Sequence, residues 1–552
     1  MIPAKPDHPP LTLAAIVNDG PLQAWVHRAL SEAAALPGVR LALIFSRPRL
    51  PLADRAARSW LGRHFIRLDR RLFAPAPALD GTRGDVAIPG APGLVMSAWA
   101  DAQSARLMRE QEVDAVIDLS DRGVEADALA TCSTWRLCHA GATTETAALG
   151  AVLLGQTTVR SALHSVTTPP RVLAESTSAV DTRSVSCTRN ALYWKNVALV
   201  VRGVRRLQQT RAPAARPSLP VLQWTWEAGV RAGHLPWRLP THVARVARAR
   251  WVRRQHQTRW ILLTGRRDGT GIADIAPQVP PDGHFWADPR VVVHAGTRYV
   301  FYEDYRYDLA RGHIAVAALD AHGRLGPSSV ALERPYHLSY PSVFQHRGAW
   351  YMVPETQANR TIEVFRCDRF PDRWQFSHVL MRDVRAVDAT FLQHAGRWWL
   401  FANIAEFEGS STHDDLFAFW ADDPLSTDWR PHPLNPIVSD VGCARPAGAF
   451  VQRDGRLLRP SQDCGAQYGG AVCMNEVVAL TETTYEERCI GRLEATWDPH
   501  VVAMHTVSEH GDLVLLDGKF RTRRGRPLPP AAGPGRCTLT VPGLPAQRGG
   551  LA

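Results

Sequence analysis

Three stretches of this chain are near copies of one another: HAGTRYVFYED (His294 to Asp304), HRGAWYMVPET (His346 to Thr356) and HAGRWWLFANI (His394 to Ile404). Each has a turn glycine, Gly296, Gly348 or Gly396, between two strand-like runs, and two more divergent copies centre on Gly455 and Gly511. Successive glycines are 52, 48, 59 and 56 residues apart. That spacing holds a hairpin and two further strands per copy. One four-stranded sheet cannot bury both of its faces, but five stacked around an axis can. The repeat therefore predicts an all-β five-bladed β-propeller over 260–525, with Tyr299, Trp350 and Trp398 filling the gaps between blades. RWILLTGRR, ahead of the first copy, is expected to supply an outer strand to the last blade.

The first 200 residues read differently. LTLAAIV, the helical spacing of PLQAWVHRALSEAAAL, then VRLALIFSR and AVIDL, make a β-α-β opening. Apolar strands alternating with helices predict a Rossmann-like α/β domain on a parallel sheet. No GxGxxG follows the first strand, so a dinucleotide is not implied, and no cofactor is expected. Between Arg202 and Arg259 lie 13 arginines, no lysine and one acid, Glu227. That stretch carries the whole of the chain's formal charge of +11. We read 201–259 as an Arg/Pro-rich connector, with a basic helix over THVARVARARWVRRQ that can touch an anionic membrane surface. No base-reading motif accompanies the arginines, so a specific nucleic-acid partner is not expected. Residues 526–552 read as a disordered tail. The N-terminal apolar run is seven residues long and ends in Asn18-Asp19-Gly20. That suits a buried strand better than a leader or span. With nine cysteines and no metal-type spacing, it points to free thiols and a cytoplasmic protein that can sit peripheral to the inner membrane face.

In a propeller the first residues of the innermost strand and the last of the second strand open on one face. Eight residues before the first three turn glycines stand Asp288, Tyr340 and Asp388; Arg445 and His505 stand near the same place in the other two copies. Second strands end at Glu303 and Asp304, Glu355, Asn403, Asp463, and Asp517 with Lys519. Carboxyl groups gathered on one rim suit acid/base chemistry at a glycosidic bond, where one group activates an oxygen and another protonates the leaving oxygen. Arg445 suits a phosphate or carboxylate of a donor. We take Asp288, Asp388 and Glu355 as candidate catalytic residues and Tyr340, Arg445, Asp463, His505 and Asn403 as candidate substrate-binding residues. No metal is expected, because no His/Asp/Glu pair has ligand spacing on one element.

FWADP, ERPYHLSYPSVF, VPETQANRTIEVFRCDRFPDRW, VDATF, HPLNPIVSD, ARPAGAF, RPSQDCGAQYGGAVCMNEV and MHT resemble the propeller domain named after plant glucosamine inositolphosphorylceramide transferases, over about 260–520. That domain is similar to five-bladed glycosidases of the arabinanase and fructosidase type. The resemblance implies Asp288 as base or nucleophile, Asp388 as supporting Asp and Glu355 as acid, although Glu355 falls in the second blade, not where arabinanases place their acid. The plant catalytic domain has no counterpart here. AVIDLS and TRSVSCTRNALYWKN resemble a formyltransferase-like domain, degenerate in that no HxSxLP-like stretch surrounds Cys138-His139. Three functions follow as expectations. The first is glycosyl transfer or hydrolysis in cell-surface glycan or glycolipid assembly, on a carbohydrate, nucleotide-sugar or glycolipid substrate. The others are non-catalytic glycan binding or scaffolding, and sugar-amine formylation by the N-terminal domain.

Overall fold

The computed structural model describes residues 10–48, 59–83, 95–99, 101–120, 133–167, 169–211, 234–269, 271–526 and 535–540. The chain divides into two compact units, Met1–Ala247 with Glu406–Ser410, and Arg248–Ala405 with Ser411–Ala552.

The first unit is built on β1 (Leu11–Asn18), β2 (Val39–Arg47), β3 (Val95–Ala98), β4 (Ala115–Asp118), β5 (Ser133–His139), β6 (Thr158–Ser165) and β7 (Val172–Ala179). Their order is β3-β2-β1-β4-β5-β6-β7, parallel through β5 and antiparallel from β6. Helices α1 (Ala24–Ala34), α2 (Trp60–Leu72), α3 (Asp101–Glu110), α4 (Thr144–Leu154), α5 (Val185–Arg211) and α6 (Leu235–Gln255) accompany it. Side chains of β1 alternate faces: Leu13, Ala15 and Val17 pack with α1 and α5, while Ala14 and Ile16 pack with Met108 of α3. Both faces of the parallel sheet are thus covered, which is why β1 reads as a continuous apolar run. The predicted connector is partly helical. Its first arginines continue α5 to Arg211, because Val197 to Val204 still face the core; its last ones lie on α6, and 212–233 fall outside the described residues.

The second unit is all strand. Three sheets have four strands each: β10 (His284–His294) to β13 (Leu325–Leu332), β14 (Ser339–His346) to β17 (Arg373–Arg382), and β18 (Ala386–His394) to β21 (Arg430–Pro431). Their second strands are β11 (Thr297–Arg306), β15 (Ala349–Glu355) and β19 (Arg397–Ile404). Their third strands are β12 (Arg311–Leu319), β16 (Thr361–Arg369) and β20 (Leu416–Ala421). The two divergent copies do not form separate sheets. β22 (Val451–Arg453), β23 (Arg456–Asp463), β24 (Ala471–Leu480) and β25 (Tyr485–Leu493) join, through β29 (Gly535–Thr540), to β9 (Gly271–Gln278) and β8 (His256–Asp268). β8 pairs with β28 (Leu513–Arg523), which also pairs with β26 (Val501–Ala503) and β27 (Val507–His510). RWILLTGRR thus pairs with the last repeated hairpin, Leu263 opposite Leu516. The expected disordered tail instead contributes β29, whose alternation buries Gly535 and Cys537 between β9 and β25.

The hairpin turns explain the repeated glycines. Ala295-Gly296, Arg347-Gly348, Ala395-Gly396 and Asp454-Gly455 all have positive φ at both residues, the two-residue turn that matches strand twist. In the fifth copy the glycine moves to the first loop position, Gly511. Aromatic rings link neighbouring sheets: Phe370 lies 5.1 Å from Tyr299 and 5.0 Å from Trp350.

Gly448 is a different case. Its φ is +134°, and a Cβ there would stand 2.0 Å from the Val507 carbonyl oxygen, whereas one on Gly296 would meet nothing within 4 Å. Gly448→Ala should lower unfolding stability by about 2–4 kcal/mol. Gly296→Ala should cost only about 1–2 kcal/mol for its left-handed backbone. Denaturant unfolding of both variants checks this.

Candidate active site

The inner strands break where chemistry was expected. The pairing register of β10, β14 and β18 slips after Ala287, Ser339 and Val387, and the next residue in each, Asp288, Tyr340 and Asp388, takes a left-handed φ of 54°, 44° and 56°. Such a conformation costs a non-glycine residue on the order of 1–3 kcal/mol and persists only where surrounding bonds hold it. Opposite the residue before each break stand Glu303, Glu355 and Asn403, so these three are structural equivalents.

Asp288 is buried and held from several sides. Its Oδ2 accepts from the Tyr340 N–H at 3.2 Å, its Oδ1 lies 2.9 Å from the Thr506 hydroxyl, and His505 Nε2 is 3.4 Å away. Behind His505 stands Asp517, fully buried, which takes the ring Nδ1 at 2.7 Å and the N–H groups of His505, Thr506 and Asp288 at 2.9, 3.0 and 3.1 Å. His505 is thus an imidazole between two carboxyl groups, stacked under Trp260 with ring centroids 4.1 Å apart. Burial alone would lower its pKa, but Asp517 and Asp288 carry it upward. Asp517 goes down: burial opposes ionisation, and His505 with four other donors outweighs it. Asp288 rises to about 6, from burial first, opposed by His505 and aided by Asp517 and Asp388. The Thr506 hydroxyl reaches both Asp288 and Asp517 but has one hydrogen, so a proton on Asp288 relieves the contact.

The second half of the cluster centres on Arg445. Its Nε donates to Asp388 Oδ2 at 2.6 Å, its Nη1 meets His413 Nδ1 at 3.0 Å, and its Nη2 lies 3.8 Å from Glu355 Oε2. Gln462 Nε2 also donates to Asp388, at 3.0 Å. Glu355 Oε2 is buried and accepts no hydrogen bond. Burial, then the negative charge of Asp388, push Glu355 well above the usual carboxylate range, against Arg445. Glu303 is driven up as well, by burial and then by Asp288 and Glu355. A side chain on Gly312 would stand 2.7 Å from Glu303 Oε1, so that close approach requires glycine.

Of the expected residues, Asp288, His505, Asp388, Arg445 and Glu355 therefore come together. Tyr340 serves differently. The Gly448 N–H donates to its hydroxyl at 2.8 Å, which donates to Thr390 Oγ1 at 2.9 Å, which donates to the Asp388 carbonyl at 3.0 Å. It ties three strands and presents only its backbone N–H to Asp288. Asp463 is engaged by Arg492 and by the Gly465 N–H at 2.8 Å, partners outside the cluster. Asn403 is fully buried and donates to the Thr412 carbonyl at 3.2 Å. The guanidinium of Arg445, expected to hold a substrate anion, is committed to protein partners. Sequence reading passed over Glu303, Asp517, His413, Gln462 and Thr506 as site members. The signal for the first two was present, since both end second strands; the others sit on segments whose path the repeat does not define.

Asp288, His505 and Asp517 have ligand atoms within 4.8 Å of one another, a grouping that spacing along one element could not reveal. Asp517 has its oxygens filled by donors and His505 Nδ1 faces it, so this trio is better suited to orient an imidazolium than to ring a cation. An open cavity of about 360 Å³ runs beside the cluster, lined by Asp288, Tyr340, Thr390, Gly448, Thr506 and Ser508 among others. In the first unit, His139 is buried with its nitrogens 2.7 Å from Ser161 Oγ and 3.0 Å from Thr144 Oγ1, and burial lowers its pKa to about 4. It offers formyl transfer no free imidazole.

A family model described as "Glucosamine inositolphosphorylceramide transferase 1, N-terminal" matches residues 271–495. The chain is 33% identical over 244 residues to glucosamine inositolphosphorylceramide transferase 1 of rice (Oryza sativa subsp. japonica), covering 42% of this chain and 32% of the rice protein. It is 32% identical over 208 residues to the protein of that name from Arabidopsis thaliana, covering 37% and 27%. The chain thus spans about a third of the length of these relatives. Among solved structures, a family 117 glycoside hydrolase from the marine bacterium Zobellia galactanivorans aligns with 48% of this chain and 90% of its own, at 13% identity and a TM-score of 0.33.

Replacing Asp288 tests its electrostatics without any substrate. A carboxyl whose folded pKa is raised from 3.8 to about 6 stabilises the fold fully below pH 3.8 and loses that contribution as pH climbs through 6. The melting temperature of Asp288→Asn relative to wild type should therefore increase between pH 4 and pH 7; a flat difference would place Asp288 at an ordinary pKa.

Proposed function

We propose that the cluster on the second unit is the acid/base site of a carbohydrate-active enzyme that breaks or transfers a glycosidic bond, on an all-β frame of five propeller blades. The observation that carries this reading is the split among its carboxyl groups. Asp388 and Asp517 each have a cation of their own, Arg445 and His505. Asp288, Glu303 and Glu355 do not, and all three are pushed upward. Glycosyl chemistry needs this inequality, one carboxylic acid to protonate the leaving oxygen and one carboxylate to act on the other side of the sugar.

Glu355 is the proton donor in this reading. Burial and the charge of Asp388 push its pKa well above the usual carboxylate range, which favours the protonated form, and its Oε2 accepts no bond that would hold it away from a substrate. Asp288 is the base or nucleophile. Above about pH 6 it is ionised, and the Tyr340 N–H, Thr506 and His505 fix its direction. Asp388 adds to the rise of Glu355, and Arg445 limits how far its pKa climbs. The substrate is a sugar carried on a glycan or lipid under assembly. The names of the plant relatives support that class, since both transfer glucosamine to an inositolphosphorylceramide by name. Only their matched third is present here, so donor and linkage are open to screening.

The test is a turnover and binding screen with glycosides and nucleotide sugars. Asp288→Asn and Glu355→Gln should each lower turnover about 10²–10⁴-fold while substrate still binds. Binding without turnover in wild type would instead support a glycan-binding protein. With an active substrate, the rate should rise with pH through about 6 as Asp288 ionises, and fall at higher pH as Glu355 loses its proton. His505→Gln removes the charge that holds Asp288 down, so the acid limb should move to higher pH. An unmoved limb would assign it to another group.

A further inference from the structure

Helix α2 of the first unit exposes what a soluble helix normally buries. Leu61, Leu68 and Leu72 are 40%, 57% and 67% exposed, and Trp60 at its start is 65% exposed. At 3.6 residues per turn these leucines, at i, i+7 and i+11, form one stripe. The same helix exposes Arg67 and Arg71 on the flank of that stripe, and Arg63 and Arg70 on the side away from it. Its one acid, Asp69, faces inward and accepts from the N–H groups of Val185 and Ser186, at 3.2 and 2.7 Å, and from the Ser184 hydroxyl at the start of α5. The outer surface of α2 is therefore apolar and cationic, with no acid of its own to neutralise it. The first half of α6 packs beside it within the same unit: Phe65 meets His242 edge-on at 5.4 Å, and Phe65, Ile66, Leu235 and Leu239 share one apolar cluster. That half adds Trp237 and Val243, 77% and 59% exposed, and the exposed Arg238, again with no acid.

We propose that the surface of α2 and the start of α6 docks the protein on a bilayer bearing anionic lipids. Arginine and exposed tryptophan are common to several kinds of binding face. A leucine stripe beside them is not: a nucleic acid or a polyanionic chain gives leucine nothing to bury, whereas a lipid surface takes the leucines among its acyl chains and the guanidinium groups at its phosphates. No described helix is long and apolar enough to cross a membrane, so the contact is a peripheral one. The two kinds of side chain contribute separately, which makes them separable by mutation.

The experiment is co-sedimentation of the full chain with vesicles of phosphatidylcholine alone and of phosphatidylcholine with phosphatidylglycerol. Wild type should bind the mixed vesicles and not the neutral ones. Replacing Arg67 and Arg71 together by Gln should weaken binding roughly thirtyfold, at about fivefold per charge. Replacing Leu61, Leu68 and Leu72 together by Gln, a comparable helix former, should weaken it at least about tenfold with every charge kept. All the replaced side chains are exposed, and unchanged circular dichroism confirms that the variants fold. No binding of wild type to mixed vesicles overturns the proposal. So does vesicle binding that the leucine variant keeps in full, and so does retention on heparin or RNA without vesicle binding.

Discussion

Five carboxyl groups and two cations share one nearly buried space, and most of what is distinctive in the second unit follows from that imbalance. A buried carboxylate without a partner is expensive, so the protein either pairs it or protonates it. Arg445 and His505 each neutralise one group. The remainder, Asp288, Glu303 and Glu355, rise from burial first and then from neighbouring carboxylates: Asp517 and Asp388 for Asp288, Asp288 and Glu355 for Glu303, and Asp388 for Glu355. The left-handed breaks at Asp288, Tyr340 and Asp388 belong to the same arrangement. They turn the strand so that the Tyr340 N–H meets Asp288 and the Asp388 side chain meets Arg445, and these bonds in turn hold the strained backbone.

The repeat made the strands of the second unit legible, and the equivalence of positions within it made the site legible. Counting back from the turn glycine finds Asp288 and Asp388, because the register break lies at one place in three sheets. The same counting selects Tyr340, where it misleads. Equivalence predicts backbone position, while the side chain there faces strand-to-strand hydrogen bonds with Thr390 and Gly448. Asp463 differs for a related reason. It ends a second strand as Glu303 and Glu355 do, but Arg492 of β25, two strands away in the same sheet, claims it. Charge partners contributed by other strands are invisible to a count along one strand.

What sequence could not supply was the pairing of cations with carboxyl groups. His505, between β26 and β27, lies 12 residues from Asp517 on β28, and Arg445 lies 57 residues from Asp388. Their contacts depend on how the fourth and fifth copies close, which is where the copies diverge most. β29 shows the same limit: six residues in a stretch rich in Gly and Pro find two free strand edges, those of β9 and β25, and become ordered by them. Local composition argued for disorder there because it carries no information about an edge elsewhere in the chain.

The arrangement also bears on which member of the cluster can change its charge during a reaction. Asp517 has five donors around it and cannot take up a proton without losing them, so it serves to keep His505 positive. Asp388 accepts hydrogen bonds from Arg445 and Gln462. In the proposed reading, proton movement belongs to Asp288 and Glu355. Glu303 sits against Gly312 and 3.5 Å from His337, and burial, then Asp288 and Glu355, push its pKa upward. An ionised Glu303 would raise Asp288 and Glu355 further. Burial holds Glu303 toward its neutral form, which spares Asp288 and Glu355 that further rise.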